Sequence, residues 1–220
     1  MCHAWRSPRH VVIFECEAMC APAAKAAGTW HAPPPIAPRD APMTPPTFRL
    51  IDCIEREHAG AILDILNDAI VNSTALYDYA PRPPEAMAAW FATKRANGFP
   101  VVGAVDAAGT LLGFASWGTF RAFPAYKYSV EHSVYIHREH RGAGLGQVLM
   151  AELIRRAREK QVHVLIGCID ASNEGSIALH RKLGFTHSGT FPQVGFKFGR
   201  WLDAAFYQLL LDTPANPVDG

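Results

Sequence analysis

The sequence predicts an α/β fold, a mixed seven-stranded sheet flanked by about four helices, and three observations carry that expectation. Residues 126–137 alternate, with Tyr128, Val130, His132, Val134 and Ile136 on one face and Lys127, Ser129, Glu131, Ser133 and Tyr135 on the other, the period of a strand. A glycine turn follows, made of Arg141, Gly142, Ala143, Gly144, Leu145 and Gly146, and it opens a helix whose apolar stripe is Leu145, Val148, Leu149 and Leu153. The third observation is a second apolar run, residues 163–169. Strand, helix and strand in that order form a crossover unit, which makes the two strands parallel neighbours.

The other elements follow in order. Phe48, Leu50 and Ile51 read as a short strand, and a helix from Glu55 carries Ile62, Ile65, Leu66, Ala69 and Ile70 at helical spacing until Asn72-Ser73-Thr74 ends it. Pro81, Pro83 and Pro84 hold a loop open before a helix over residues 85–97, closed by Gly98. Residues 100–105 and 111–117 flank Asp106-Ala107-Ala108-Gly109, a hairpin turn with glycine where positive φ is needed. After the crossover come a helix over residues 173–183, closed by Gly184, and two strands over residues 185–193 and 201–211.

Composition bounds the rest. Residues 1–45 are rich in proline and alanine and lack periodicity, so they are expected to be a disordered extension, with a domain over 46–213 and a tail over 214–220. Met43 stands just before the first strand, and the functional chain is expected to start near it. The apolar run Val11 to Phe14 is too short for a signal core or a membrane span, and no membrane association is expected. With Lys+Arg 21 against Asp+Glu 20 there is no basic excess to neutralise a nucleic-acid backbone. Five cysteines, an odd number, fit reduced thiols in the cytoplasm. Cys16 and Cys20 with His10 and His31 match no standard zinc spacing, and no metal is expected.

A glycine turn at a helix start is an anion site, because the first N–H groups of the helix lack internal partners and the macrodipole is positive there. Two known designs fail the spacing. A dinucleotide fingerprint begun at Gly142 requires glycine where Gln147 stands, and no Gly-Lys-Ser/Thr triplet completes a P-loop. What remains is Arg141-x-x-Gly144-x-Gly146, which resembles the acyl-CoA pyrophosphate loop of the GCN5-related N-acetyltransferase (GNAT) family. The element order matches that family over about 47–212. Asn72-Ser73-Thr74, Pro81-Arg82-x-Pro84-Glu85, Tyr126-x-Tyr128-x-Val130-Glu131-x-Ser133-Val134-Tyr135, Asn173-x-x-Ser176 and Gly195-Phe196-Lys197-x-Gly199-x-Trp201-x-Asp203 are similar to its phosphinothricin and methionine-sulfone branch.

The resemblance implies the acyl-CoA N-acyltransferase fold and transfer of the acetyl group of acetyl-CoA to the primary amine of a small amino-acid-like substrate. It implies Glu131 as general base. The strands holding Glu131 and residues 163–169 splay apart and receive the pantetheine, with backbone groups of Val134 and Ile136 as its partners. Arg141 to Gly146 hold the pyrophosphate, and Asn173 and Ser176 touch the pantetheine. A helical tyrosine commonly serves as the acid toward the thiolate; here His180 occupies that place, with Tyr135 as a second candidate. Tyr77, Arg82, Tyr126, Lys127 and Lys197 are the candidates for the acceptor, the cations pairing with its carboxylate. The branch also implies a homodimer through the segment from Gly195 to Asp203. Read on their own terms, Glu131 could instead be a surface strand charge or a dimer salt-bridge partner, Asn173 an ordinary helix cap and His180 a structural histidine. Two other activities stay open: acetylation of protein or peptide N-termini, and acyl-CoA binding without catalysis.

Overall fold

The structure is a computed structural model that describes residues 48–219. The expected extension, the proposed start near Met43 and the Cys16/Cys20 group lie outside the described residues. Seven strands are present: β1 (Arg49–Asp52), β2 (Val101–Val105), β3 (Leu111–Thr119), β4 (Ser129–Ile136), β5 (Val164–Asp170), β6 (Thr186–Lys197) and β7 (Arg200–Leu210). The four α-helices are α1 (Glu55–Asn72), α2 (Ala86–Ala96), α3 (Leu145–Glu159) and α4 (Glu174–Lys182). Together the strands form one sheet in the order β1-β2-β3-β4-β5-β7-β6, antiparallel throughout except for the β4–β5 pair joined by α3.

Alternation along the central strands sends side chains into two cores. On one face Ile62, Ile65 and Leu66 of α1 and Met87 and Phe91 of α2 pack against Val101, Val105 and Phe114. On the other face Leu145, Leu149, Met150 and Leu153 of α3 pack against Val102, Ala115, Trp117, Val130 and Leu165, with Ile177 and Leu179 of α4 at the margin. Each fully buried Leu or Ile removes enough apolar surface to be worth ~1.5–3 kcal/mol, so the two layers fix the strands between them.

Several boundaries differ from the sequence reading, and three of them have a local reason. Pro124 at the first position of a 3-10 turn, Pro124–Tyr126, delays β4 to Ser129. β6 runs on to Lys197 because Pro192 and Gln193 are absorbed in an irregularity between Phe191 and Gly195, the position at which a strand tolerates proline. The turn into β7 uses Phe198 at φ +51° and Gly199 at φ +72°, the paired positive φ of a tight hairpin. The expected tail is tied to the domain: Tyr128 Oη accepts from Val218 N at 3.2 Å.

Candidate active site

β4 and β5 pair only at Ser129, Val130 and Glu131, against Val164, Leu165 and Ile166. Past Glu131 they separate, although β4 stays on β3 through Ile136 and β5 stays on β7 through Asp170. Glu131 therefore stands where the split opens. Hydrogen bonding fixes which backbone groups face the gap. Tyr128 O accepts from His163 N and Val164 N, while His137 N donates to Leu112 O on β3. Even-numbered positions of β4 thus point to β5, so the backbone groups of Val134 and Ile136 face the split with no strand partner. Their side chains are half-buried against the α3 core.

The glycine turn lies at the far end of β4. Gly142 and Gly144 have φ of +81° and +79°, conformations glycine adopts without strain. Gly144 is the N-cap of α3, whose first bond runs from Gln147 N to Gly144 O at 3.0 Å. The amides of Leu145 and Gly146 precede that bond and are free for an anion. Gly146 has a different reason: a Cβ there would meet Leu179 Cδ2 of α4 at 3.2 Å. Ala143 is half-buried and Leu145 fully buried, so they seat the turn. Arg141 donates from Nε to Ile136 O at 3.2 Å and pairs through Nη2 with Asp68 Oδ2 at 2.9 Å. Asp68, on α1, also takes Asn72 Nδ2 at 2.9 Å and Arg138 at 3.5 Å.

Glu131, Ser133 and Tyr135 project to the face covered by α1 and α2. Glu131 lies opposite Gly118 in the register, where a Cβ would sit 3.9 Å from Lys94 Nζ. Burial raises its carboxyl above the ordinary value, and the Arg121 guanidinium opposes the rise. Tyr135 packs on Phe114, ring centroids 5.6 Å apart. Burial pushes its hydroxyl strongly upward, with Arg82 opposing and Asp78 and Glu131 adding to the rise. Cys168 on β5 reaches solvent, and its thiol is pushed up by partial desolvation among its neighbours and by the Glu131 carboxylate.

His180 lies on the opposite face and requires a correction. It is buried, its Nδ1 donates to Ser176 O at 2.7 Å, and its Nε2 lies 2.8 Å from His132 Nε2. A carbonyl only accepts, so Nδ1 carries the ring hydrogen and Nε2 takes the hydrogen of His132. His132 Nδ1 is then bare and has no partner. Burial lowers both imidazoles, His132 to about 3, and the neighbouring ring lowers it further. In this arrangement the one ring hydrogen of His180 is committed to the Ser176 carbonyl. Gly167 makes room for the pair, since a Cβ there would meet His132 Cε1 at 2.9 Å.

Asn173 caps α4, its Oδ1 accepting from Ser176 N at 3.0 Å, and Ser176 Oγ lies 3.5 Å from His180 Nδ1. The acceptor candidates divide. Arg82 donates to Asp78 Oδ2 from Nε and Nη2 at 2.9 and 2.8 Å, and Asn67 holds its backbone at both N and O. Its charge, with that of Asp78, reaches Tyr135. Tyr77 is raised to about 12 by burial and then by Asp170 and Cys168. Tyr126 is exposed against Phe120, and Lys127 lies over the Tyr128 ring; neither touches the others. Lys197 is also a correction. It is buried, with its ammonium bonded to three backbone carbonyls, and is not free for a substrate carboxylate.

Sequence reasoning missed Arg121, Asp68 and His132. The alternation already placed His132 on the inward face, but nothing in it announces a second imidazole from α4. Among the described residues no group of three His, Cys, Asp or Glu is placed to hold a metal ion, and no helix is long and apolar enough to cross a membrane.

Known proteins agree with this geometry. The profile of the Acetyltransferase (GNAT) family matches residues 61–185. An L-methionine sulfoximine/L-methionine sulfone acetyltransferase of Pseudomonas aeruginosa is 50% identical over 151 residues, 69% of this chain and 88% of that protein. A solved structure from Acinetobacter baylyi is 70% identical, with a TM-score of 0.79 over 79% of this chain and 98% of that one. A phosphinothricin acetyltransferase from Sinorhizobium meliloti, solved in complex with acetyl-CoA, is 37% identical, with a TM-score of 0.74 over 78% of this chain and 92% of that one. The split sheet, the glycine turn and these likenesses converge, and the chain belongs to the GNAT family of acetyltransferases.

Proposed function

We propose that the chain transfers the acetyl group of acetyl-CoA directly to the primary amine of a small amino-acid-like substrate of the phosphinothricin, methionine sulfone or sulfoximine type. The observation that carries this reading is the position of Glu131, a carboxylate raised by burial at the point where β4 and β5 part. When bound, acetyl-CoA supplies an acyl group on a thioester. The turn from Arg141 to Gly146 would take its pyrophosphate, and the backbone of Val134 and Ile136, which has no strand partner on that side although Ile136 O accepts from Arg141, would pair with its pantetheine arm. Glu131 accepts the amine proton, directly or through a water, and an elevated pKa suits it to that task. A backbone N–H of the split stabilises charge on the carbonyl oxygen. A thiol of pKa ~8.5 departs without obligatory help from an acid. Tyr135, whose hydroxyl keeps its proton, stands on the Glu131 face as the remaining donor.

The crowded loop from Tyr77 to Pro84, held by Asn67 on the Arg82 backbone and by the Arg82–Asp78 pair, supports a small acceptor over a peptide. Acetyl-CoA consumption measured against methionine sulfone, phosphinothricin, free amino acids and short peptides tests the reading. Turnover with peptides alone would move the chain to N-terminal acetylation, and tight coenzyme binding without turnover would leave only a binding module.

We also propose a homodimer formed on the β6–β7 hairpin, where Phe191, Val194, Phe196, Phe198, Trp201 and Leu210 are exposed. Apolar side chains exposed together at the turn of the hairpin, where Phe196 packs on Trp201 beside Phe198, mark an interface. Trp201→Asp should convert a dimer to a monomer in light scattering; a wild-type monomer would refute it. Cys53 and Cys168 are unpaired, which supports a reducing compartment, the cytoplasm. The catalytic domain is assigned to residues 46–213.

A further inference from the structure

The segment between α1 and α2 has no regular secondary structure, yet it is held at successive positions of one strand. Gly195 of β6 lies under the Tyr77 ring, where a Cβ would come within 2.7 Å of Cε2. At the next position, Phe196 O accepts from Tyr79 Oη at 2.8 Å. At the one after that, Lys197 Nζ donates to Ile70 O at 2.7 Å, Ser73 O at 2.9 Å and Leu76 O at 2.5 Å. An ammonium has three hydrogens, and all three are used.

Buried lysines are rare because desolvating the charge is costly. This one is placed where the cost is offset. α1 has no basic residue in its last turn, and the Lys197 ammonium supplies the cation that its terminal carbonyls and dipole favour, from a strand more than a hundred residues away in sequence. The same three bonds set the direction in which the chain leaves α1. Beyond them lie Tyr77, Asp78 and Arg82, the last two being the charges that reach Tyr135 on the face of Glu131.

We propose that Lys197 is a positioning residue for the acceptor amine: by clamping the end of α1 and the following turn onto β6, it fixes Tyr77 and Arg82 relative to Glu131 without touching the substrate. This rests on the acetyltransferase reading of the site. Lys197→Met keeps the length of the side chain and removes the three donors.

In the full chain, with methionine sulfone as the probe amine and saturating acetyl-CoA, this variant should raise the amine KM by roughly tenfold or more, since small misplacements near a reacting centre are costly. Acetyl-CoA affinity, measured by calorimetry, should stay within about twofold, because the glycine turn is shaped by its own backbone at Gly142 and Gly144 and meets α1 through Asp68, before the clamped carbonyls. A lower melting temperature with an unchanged amine KM would reduce Lys197 to a structural staple and overturn the proposal.

Should Lys197→Met fail to fold, Tyr79→Phe and Gly195→Ala carry the test. Tyr79 is largely exposed, so the fold survives loss of its hydroxyl, and Gly195→Ala pushes directly on Tyr77. Each should raise the amine KM by about threefold at constant coenzyme affinity; no change in either overturns the proposal. If the wild type acetylates no amino-acid-like amine, the functional reading fails instead. Amide exchange then decides the clamp: faster exchange confined to residues 73–85 in Tyr79→Phe supports it, and unaltered exchange refutes it.

Discussion

On the α3 and α4 face of the sheet, the candidate coenzyme site is built mainly from backbone: the edge of β4 left without a strand partner past Glu131, the amides at the start of α3, and glycines at 142, 144 and 146. On the α1 and α2 face the work falls to side chains, namely Glu131, Tyr135, Arg82, Asp78 and Arg121, most of them on loops or at strand ends. The two faces teach different things. A backbone site is specified by chain direction and by where glycine is required, so it tolerates changes in the surrounding side chains. A side-chain site is specified by which charges the loops bring together, and its properties shift with each one.

This contrast can be broken experimentally, beginning with the largest effect. Glu131→Gln should lower kcat by roughly 100-fold, the scale of a lost general base, while acetyl-CoA affinity stays unchanged; a normal kcat would remove Glu131 from the chemistry. Gly144→Val should weaken acetyl-CoA binding by about tenfold or more, because a β-branched residue at φ +79° costs ~1–3 kcal/mol and distorts the turn. The melting temperature should also fall, since the open space around that position does not relieve the backbone strain. The amine KM should not follow, and if it does, the two faces are not separable.

The smallest effect is a shift in pH dependence. Arg121 holds down the Glu131 pKa, so Arg121→Gln should let it rise. Glu131 must be ionised to act as a base, and activity is lost as pH falls through its pKa. The acidic limb of kcat/KM should therefore move to higher pH in the variant. An unmoved limb would mean that Arg121 does not act on the base in the working enzyme.

Most of the coenzyme face was legible in the sequence for a physical reason. Arg141-x-x-Gly144-x-Gly146 encodes positive φ and a helix start within a few residues, and the alternation around Glu131 assigns faces without any knowledge of the partner strands. The acceptor face was less legible. Lys197 reads as a free cation in sequence, and only the approach of the end of α1, whose carbonyls stand 2.5–2.9 Å from its ammonium, shows that its hydrogens are already used. His180 was found by its place in α4, but its role turned on His132, forty-eight positions away in the chain. Arg121 belongs to no periodic element, and its influence on Glu131 arises from how the segment before β4 folds back. Local patterns specify local backbone; pairings between distant segments need the tertiary fold.

The seam between β4 and β5 is three residue pairs long. Everything on either side of it is antiparallel pairing, β1 to β4 on one flank and β5 to β7 on the other. The sheet is thus two sub-sheets stitched at one end, with α3 as the strap that crosses the join. The seam spans no more chain than the β1–β2 or β5–β7 pairings; what sets it apart is that its strands run parallel, so they can be joined only by a crossover, here α3. The cleft beside Val134 and Ile136 therefore belongs to neither sub-sheet alone: it exists only where both halves and the strap that joins them are in place.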